Sequence, residues 1–160
     1  MDGDRILIVD DESSVREVLS SLLADEGYGV LAAATAEEGL ERMEGADISV
    51  ALDDIKLPGM DGIGLLAEIK RRSPSTEVVM MTSYASLETA VAAIRRDAYD
   101  YIQKPFEDLE EPCAVVRRAV EKRDLTRKNR ELLERLTLVA ARLAGALLRA
   151  QPRRDRGVVG

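Results

Sequence analysis

Asp10, Asp11, Asp54, Thr82 and Lys104 are spread over the chain, yet each stands at or just beyond the end of a short apolar run. Together they offer three carboxylates, a hydroxyl and an ammonium group. Carboxylates gathered at one place cannot all stay ionised unless a cation joins them, and a ligand set of oxygens alone favours Mg2+ over zinc. A divalent ion, a lysine and a hydroxyl make a cradle for a phosphoryl group, and the carboxylate left to attack is the nucleophile. The chain has no His. That removes the commonest general base, metal ligand and phosphoryl carrier at once, so phosphohistidine chemistry would need a partner.

The elements that position these groups follow from hydrophobic periodicity. Residues 48–52 form an apolar run that delivers Asp53 and Asp54, and Pro58-Gly59 and Asp61-Gly62 then break regular structure, as at the end of a buried strand. Either acid could be the one presented there. Residues 5–9 form an earlier strand that ends in Asp10-Asp11-Glu12. Ser13 or Ser14 is expected to cap a helix with Val15, Val18, Leu19, Leu22 and Leu23 on one face, ending near Gly27. Residues 28–32 read as the second strand. Thr35 with Glu38 predicts a capping box for a helix to about Met43. After the central strand, Ile63, Leu66 and Ile69 mark a helix over 62–72. Residues 78–81 form a fourth strand ending in Thr82-Ser83. Ser86 and Thr89 open a helix along Leu87, Ala90, Val91 and Ile94, and Asp97 stands where a left-handed cap residue belongs. A short fifth strand over 99–102 leads to Lys104-Pro105-Phe106, and a last helix starts near Leu109.

Five strand–helix alternations with short connections predict right-handed crossovers onto a parallel sheet, a three-layer doubly wound α/β domain. Periodicity alone leaves the strand order open. The order expected is 2-1-3-4-5, in which the first and third strands flank the switch point and their acids share one crevice.

Charge is unevenly placed. Residues 1–116 hold 10 Lys/Arg against 25 Asp/Glu, a net charge of −15, and residues 117–160 hold 13 against 5, a net charge of +8. The shift supports a boundary near the start of the basic part, and the acidic body argues against nucleic acid as its partner. A single Cys113 excludes an internal disulfide and reads as an ordinary thiol. With no secretory signal at the start and no run near the roughly 20 apolar residues a bilayer requires, a cytoplasmic location with no membrane partner is expected.

The pattern Asp54-Ile55-Lys56-Leu57-Pro58-Gly59-Met60-Asp61-Gly62 resembles the phosphorylation loop of the receiver domain of bacterial two-component response regulators. Val9-Asp10-Asp11-Glu12, Thr82-Ser83 and Lys104-Pro105-Phe106 match that family's other landmarks in order. The resemblance covers about residues 4–123, and the wording from Met81 to Ala90 is most like receivers that precede sigma-54-dependent activators. It implies that Asp54 accepts a phosphoryl group from a sensor histidine kinase. It implies also that Asp11, Asp54 and the Lys56 carbonyl bind Mg2+ directly, and Asp10 through water. Lys104 would pair with one phosphoryl oxygen, Thr82 would donate to another, and Tyr101 matches the aromatic whose rotamer follows Thr82. The Lys104-Pro105 peptide is implied to be cis. Such a domain is a signalling switch that catalyses its own phosphotransfer and slow dephosphorylation rather than an enzyme acting on other substrates. The side chains of Lys56 and Tyr84 occupy positions that tune the phosphoryl lifetime, and Ser83 departs from the usual Ala or Gly.

Asp53 is a departure too, because the family usually has an apolar or small residue before the acceptor. Strand alternation turns it away from Asp54, and it is expected to be partly buried or linked to solvent. An aspartyl-phosphate phosphohydrolase would share the nucleophile and Mg2+ but needs a second acid two residues on, where Lys56 stands. A scaffold with a dead receiver would need a broken site, and all five rim residues are present. Beyond the receiver (1–123), Val115, Arg118, Lys122, Leu125, Asn129, Leu132, Leu136, Val139, Leu143 and Ala146 keep 3-4 spacing. They predict a helical extension over 124–150 that pairs with another copy as a coiled coil from about Leu125, with Asn129 favouring two strands. Residues 151–160 are expected to be a disordered tail. Nucleic acid would be reached only through an output domain that this chain does not include.

Overall fold

The computed structural model describes residues 3–83 and 86–151. Among them the elements alternate as β1 (Arg5–Val9), α1 (Ser13–Asp25), β2 (Gly29–Ala33), α2 (Ala36–Met43), β3 (Val50–Asp54), α3 (Gly62–Arg72), β4 (Glu77–Thr82), α4 (Leu87–Arg95), β5 (Asp100–Gln103) and α5 (Glu110–Ala150). The strands pair in parallel in the order β2-β1-β3-β4-β5, the doubly wound arrangement expected.

Strand alternation builds two apolar layers. Leu7, Val9, Ala51 and Met80 meet Leu40 of α2, Leu65, Leu66 and Ile69 of α3 and Ala93 of α4. Ile6, Ile8, Leu52, Val79 and Met81 meet Leu19 and Leu23 of α1 and Val116, Ala119 and Val120 of α5. Both faces of the sheet are covered, which is why its strands read as continuous apolar runs.

Several helix ends are fixed by residues that the sequence had marked. The Thr35 hydroxyl accepts from the Glu38 N–H at 3.1 Å, and the Glu38 carboxylate accepts from the Ala34 N–H at 3.2 Å. Ser86 accepts from the Thr89 N–H at 3.1 Å, and Asp97 has φ 67°. α1 differs from expectation. Ser13 is already its first helical residue, and Glu12 precedes it with no side-chain cap bond, so neither serine is the cap. Asp61, read only as a turn residue, caps α3 by accepting from the Gly64 N–H at 2.8 Å. At Gly62 an added Cβ would lie 2.1 Å from the Asp54 carbonyl oxygen, so α3 can start this close to the end of β3 only with glycine.

Two helix faces also differ. α4 buries Ala93 and leaves Leu87, Val91 and Ile94 exposed, because the small residue allows close approach to the sheet while the larger stripe points outward. In α5 the buried residues are Pro112, Cys113, Val115, Val116, Ala119, Val120 and Arg123, and Arg118 and Lys122 are exposed, so packing on the sheet overrides the 3-4 stripe up to Arg123. Arg123 is fully buried. It donates to Asp47 and, at 2.9 Å, to the Ser49 hydroxyl, which donates in turn to Asp4 at 2.9 Å, tying α5 to the amino ends of β1 and β3.

Residues 1–124 and 125–160 form separate compact units. In the second, the described residues are helical to Ala150, and Leu125, Leu132, Leu136, Val139 and Leu143 are exposed. The predicted tail lies outside the described residues except for Gln151, as does Tyr84. Among the described residues no helix is long and apolar enough to cross a membrane.

Candidate phosphoryl and metal site

The carboxyl ends of β1, β3, β4 and β5 deliver the chemical groups, each because an apolar strand stops there. Asp10 follows β1 and is fully buried, its N–H donating to the Ala33 carbonyl at 3.1 Å. Its Oδ1 accepts from the Glu12 N–H at 2.9 Å and its Oδ2 from Lys104 Nζ at 2.7 Å. Asp54 closes β3, buried, with Oδ2 3.3 Å from the same ammonium and Oδ1 accepting from the Lys56 N–H at 3.4 Å. Lys104, itself buried, therefore bridges the acids of two strands, and Glu12 stands 3.8 Å from it on the solvent side. A tertiary cation held between two buried carboxylates is positioned far more firmly than a surface pair.

Burial pushes the Asp54 carboxyl above the ordinary range, and the neighbouring Asp10 charge adds to that; the charge and hydrogen bond of Lys104 and the Lys56 N–H oppose both without cancelling them. For Lys104, burial acts downward, but the hydrogen bond and charge of Asp10, with the charge of Asp54, outweigh it and hold the ammonium above its ordinary value. The two rises agree physically: burial keeps the Asp54 carboxyl raised, while two acids around one ammonium favour its charged form.

Carboxylate oxygens of Asp10, Asp11 and Glu12 lie within 4.8 Å of one another, with Asp11 and Glu12 exposed. This all-oxygen donor set, beside a buried lysine, fits a hard divalent ion such as Mg2+. Glu12 had not been placed in that set, although the run of three acids signals it. Asp54 is linked to Asp10 through the shared Lys104 ammonium.

Thr82 is buried at the end of β4, and Ser83 after it is exposed. Thr82 and Tyr101 share the sheet face that α3 and α4 cover, but the Tyr101 hydroxyl pairs with Thr89 Oγ1 at 3.0 Å, a partner on α4 that no spacing rule pointed to. Lys56 is exposed. Arg16 was also missed: its Nη1 donates to the Asp10 carbonyl at 2.6 Å.

Asp53 corrects an expectation. It is fully buried rather than linked to solvent, and both carboxylate oxygens lack a hydrogen-bond partner among the described residues. It faces the opposite side of β3 from Asp54, in register with Val9 and Met80, and burial raises its pKa well above the ordinary value. The Lys104-Pro105 peptide is cis.

The sequence profile described as the response regulator receiver domain matches residues 6–117. Regulatory protein AtoC of Escherichia coli K12 is 40% identical over 134 residues, covering 84% of this chain and 29% of that protein. The DNA-binding transcriptional regulator NtrC of the same strain is 42% identical over 115 residues, 72% of this chain and 24% of NtrC. The chain thus spans about a quarter of the length of the curated relatives it matches. Among solved structures, a CheY-like response regulator receiver domain protein from Methanospirillum hungatei JF-1 superposes with a TM-score of 0.74 at 36% identity, covering 78% of this chain and 98% of that one.

Proposed function

This chain belongs to the response regulator receiver domain family of two-component signalling, among homologues of the AtoC and NtrC type, and on that premise we propose that Asp54 accepts a phosphoryl group from a sensor histidine kinase. The observation that carries this reading is the single ammonium of Lys104 set between Asp10 and Asp54 at the carboxyl ends of β1 and β3.

A carboxylate oxygen of Asp54 attacks phosphorus, the bond from phosphorus to the donor imidazole nitrogen breaks, and the imidazole leaves as the neutral base once protonated. Asp54 must be ionised to attack, and Lys104 opposes the burial that would protonate it. Once the acyl phosphate forms, Lys104 is placed to follow a phosphoryl oxygen, and the Thr82 hydroxyl serves another. Asp10, Asp11, Asp54 and the Lys56 carbonyl would hold Mg2+, which neutralises phosphoryl charge when bound. Transfer and slow hydrolysis are then the domain's own work, and Lys56, exposed and basic, cannot be the acid that a phosphohydrolase needs.

Thr82 and Tyr101 form the switch in this reading. Tyr101 now holds Thr89 of α4, so a Thr82 drawn toward the phosphoryl group would alter what the aromatic packs against. The receiver occupies 1–123, and the extension over 124–150 pairs with a second copy through Leu125, Leu132, Leu136, Val139 and Leu143. The setting is cytoplasmic.

The deciding experiment is phosphorylation by a small phosphodonor with Mg2+, followed by mass. Wild type and Asp53→Asn should gain one phosphoryl group, and Asp54→Asn should gain none; full labelling of Asp54→Asn would reject the assignment.

A further inference from the structure

Arg16 sits where a helix least favours it. α1 begins with no side-chain cap and no acid in its first turn, and Arg16, its fourth residue, sets a positive charge against the partial positive charge of the helix start. The guanidinium has a specific target there. Its Nη1 donates at 2.6 Å to the main-chain carbonyl of Asp10, a short bond from a charged donor.

Asp10 is held at four points. Its N–H goes to Ala33, its Oδ1 to the Glu12 N–H and its Oδ2 to Lys104. These fix the strand end and the side chain. The fourth, from Arg16, fixes the carbonyl, and with it the peptide plane that joins Asp10 to Asp11. That plane sets the direction in which the exposed Asp11 leaves the strand, and it bears on the cluster in which Asp10, Asp11 and Glu12 oxygens come within 4.8 Å.

We propose that Arg16 is a positioning residue for the divalent-ion site, holding the Asp10-Asp11 peptide in the orientation that presents its carboxylates to Mg2+. This rests on the reading of the site given above. Two effects of opposite sign compete. As a cation near an acidic cluster, Arg16 repels Mg2+, and on charge alone Arg16→Gln would bind the ion more tightly. As a positioning group, its loss frees the peptide and weakens binding; groups that orient metal ligands typically matter about 10- to 100-fold in affinity. The geometry favours the second effect, because the bond goes to a carbonyl and leaves the acids' charges uncancelled.

The test is Mg2+ titration of the full chain by calorimetry, since the protein has no Trp to report the ion. Arg16→Gln should raise the Mg2+ dissociation constant about tenfold. Arg16→Lys keeps the charge and one donor and should stay within about threefold. In metal-free Arg16→Gln, amide exchange at residues 11–13 should quicken while the thermal midpoint stays near that of wild type. Arg16→Met, which keeps the packing of the stem, repeats the test if the glutamine variant folds poorly. Equal or tighter Mg2+ binding by folded Arg16→Gln or Arg16→Met overturns the role of Arg16 alone. A wild type that takes up no Mg2+ overturns the parent reading, and this one with it.

Discussion

Replacing Asp53 with valine should stabilise the domain at neutral pH. The carboxyl is fully buried, its two oxygens find no partner among the described residues, and its neighbours in register, Val9 and Met80, are apolar. An unpaired buried polar group costs about 1–3 kcal/mol, and valine, suited to a strand, regains about 1.5 kcal/mol or more of burial. Crowding by the slightly larger side chain takes back about 1 kcal/mol, which leaves a gain of about 2 kcal/mol. The pH dependence has a definite sign. The folded pKa lies well above the ordinary value of 3.8, so the folded chain binds the extra proton. The stability due to that bound proton is fully present below the ordinary value and is lost as pH rises through the raised one, at up to about 1.4 kcal/mol per unit between them. Urea unfolding of metal-free wild type and Asp53→Val from pH 4.5 to 8, followed by tyrosine emission and circular dichroism, should show the advantage of the variant widening with pH. If Asp53→Val were less stable than wild type across that range with a parallel pH profile, Asp53 would have to be paired and the reasoning would fail.

Removing the shared ammonium with Lys104→Met strands two buried carboxylates and should cost about 3 kcal/mol at pH 7, with Mg2+ recovering more stability in the variant than in wild type; denaturant melts with and without the ion read both. Tyr101→Phe deletes the bond to Thr89, and because the ring keeps its packing the loss should be only about 1 kcal/mol, seen as faster amide exchange at the start of α4. Lysines at Leu132 and Leu136, both exposed in a single copy, should turn a dimer into a monomer by sedimentation and leave phosphorylation of Asp54 unchanged.

The strands and the rim were legible in the sequence because both are local. A short continuous apolar run marks a strand covered on both faces, and the polar residues that follow it stand at the strand end. What covers a face is not local. The stripe Leu87, Val91 and Ile94 has helical spacing, yet nothing in the spacing says that Ala93 is the side that meets the sheet. Long-range polar partners are equally hidden: Lys104 and Asp10 stand 94 positions apart, and Arg123 and Ser49 stand 74. Both members of the first pair were still placed at one rim, because they lie at strand ends that the topology must bring together, although their direct bond was not foreseen. The second was missed because Arg123 looks like one more basic residue on a basic helix.

Asp53 and Asp54 carry the same group one residue apart, and the strand gives them different surroundings. Burial raises both pKa values. At Asp54 the rise is resisted by Lys104 and the Lys56 N–H, each 3.3–3.4 Å away, so its carboxylate can exist and can attack. At Asp53 no partner among the described residues opposes the rise, so burial favours its neutral form, a poor nucleophile. On the proposed reading, period-two alternation thus separates the acceptor from its neighbour. A one-residue slip of β3 that set Asp54 opposite Val9 and Met80 would bury it on the other face of the strand, away from Lys104, so on the proposed reading the register of β3 against β1 and β4 decides whether the acceptor meets its cation.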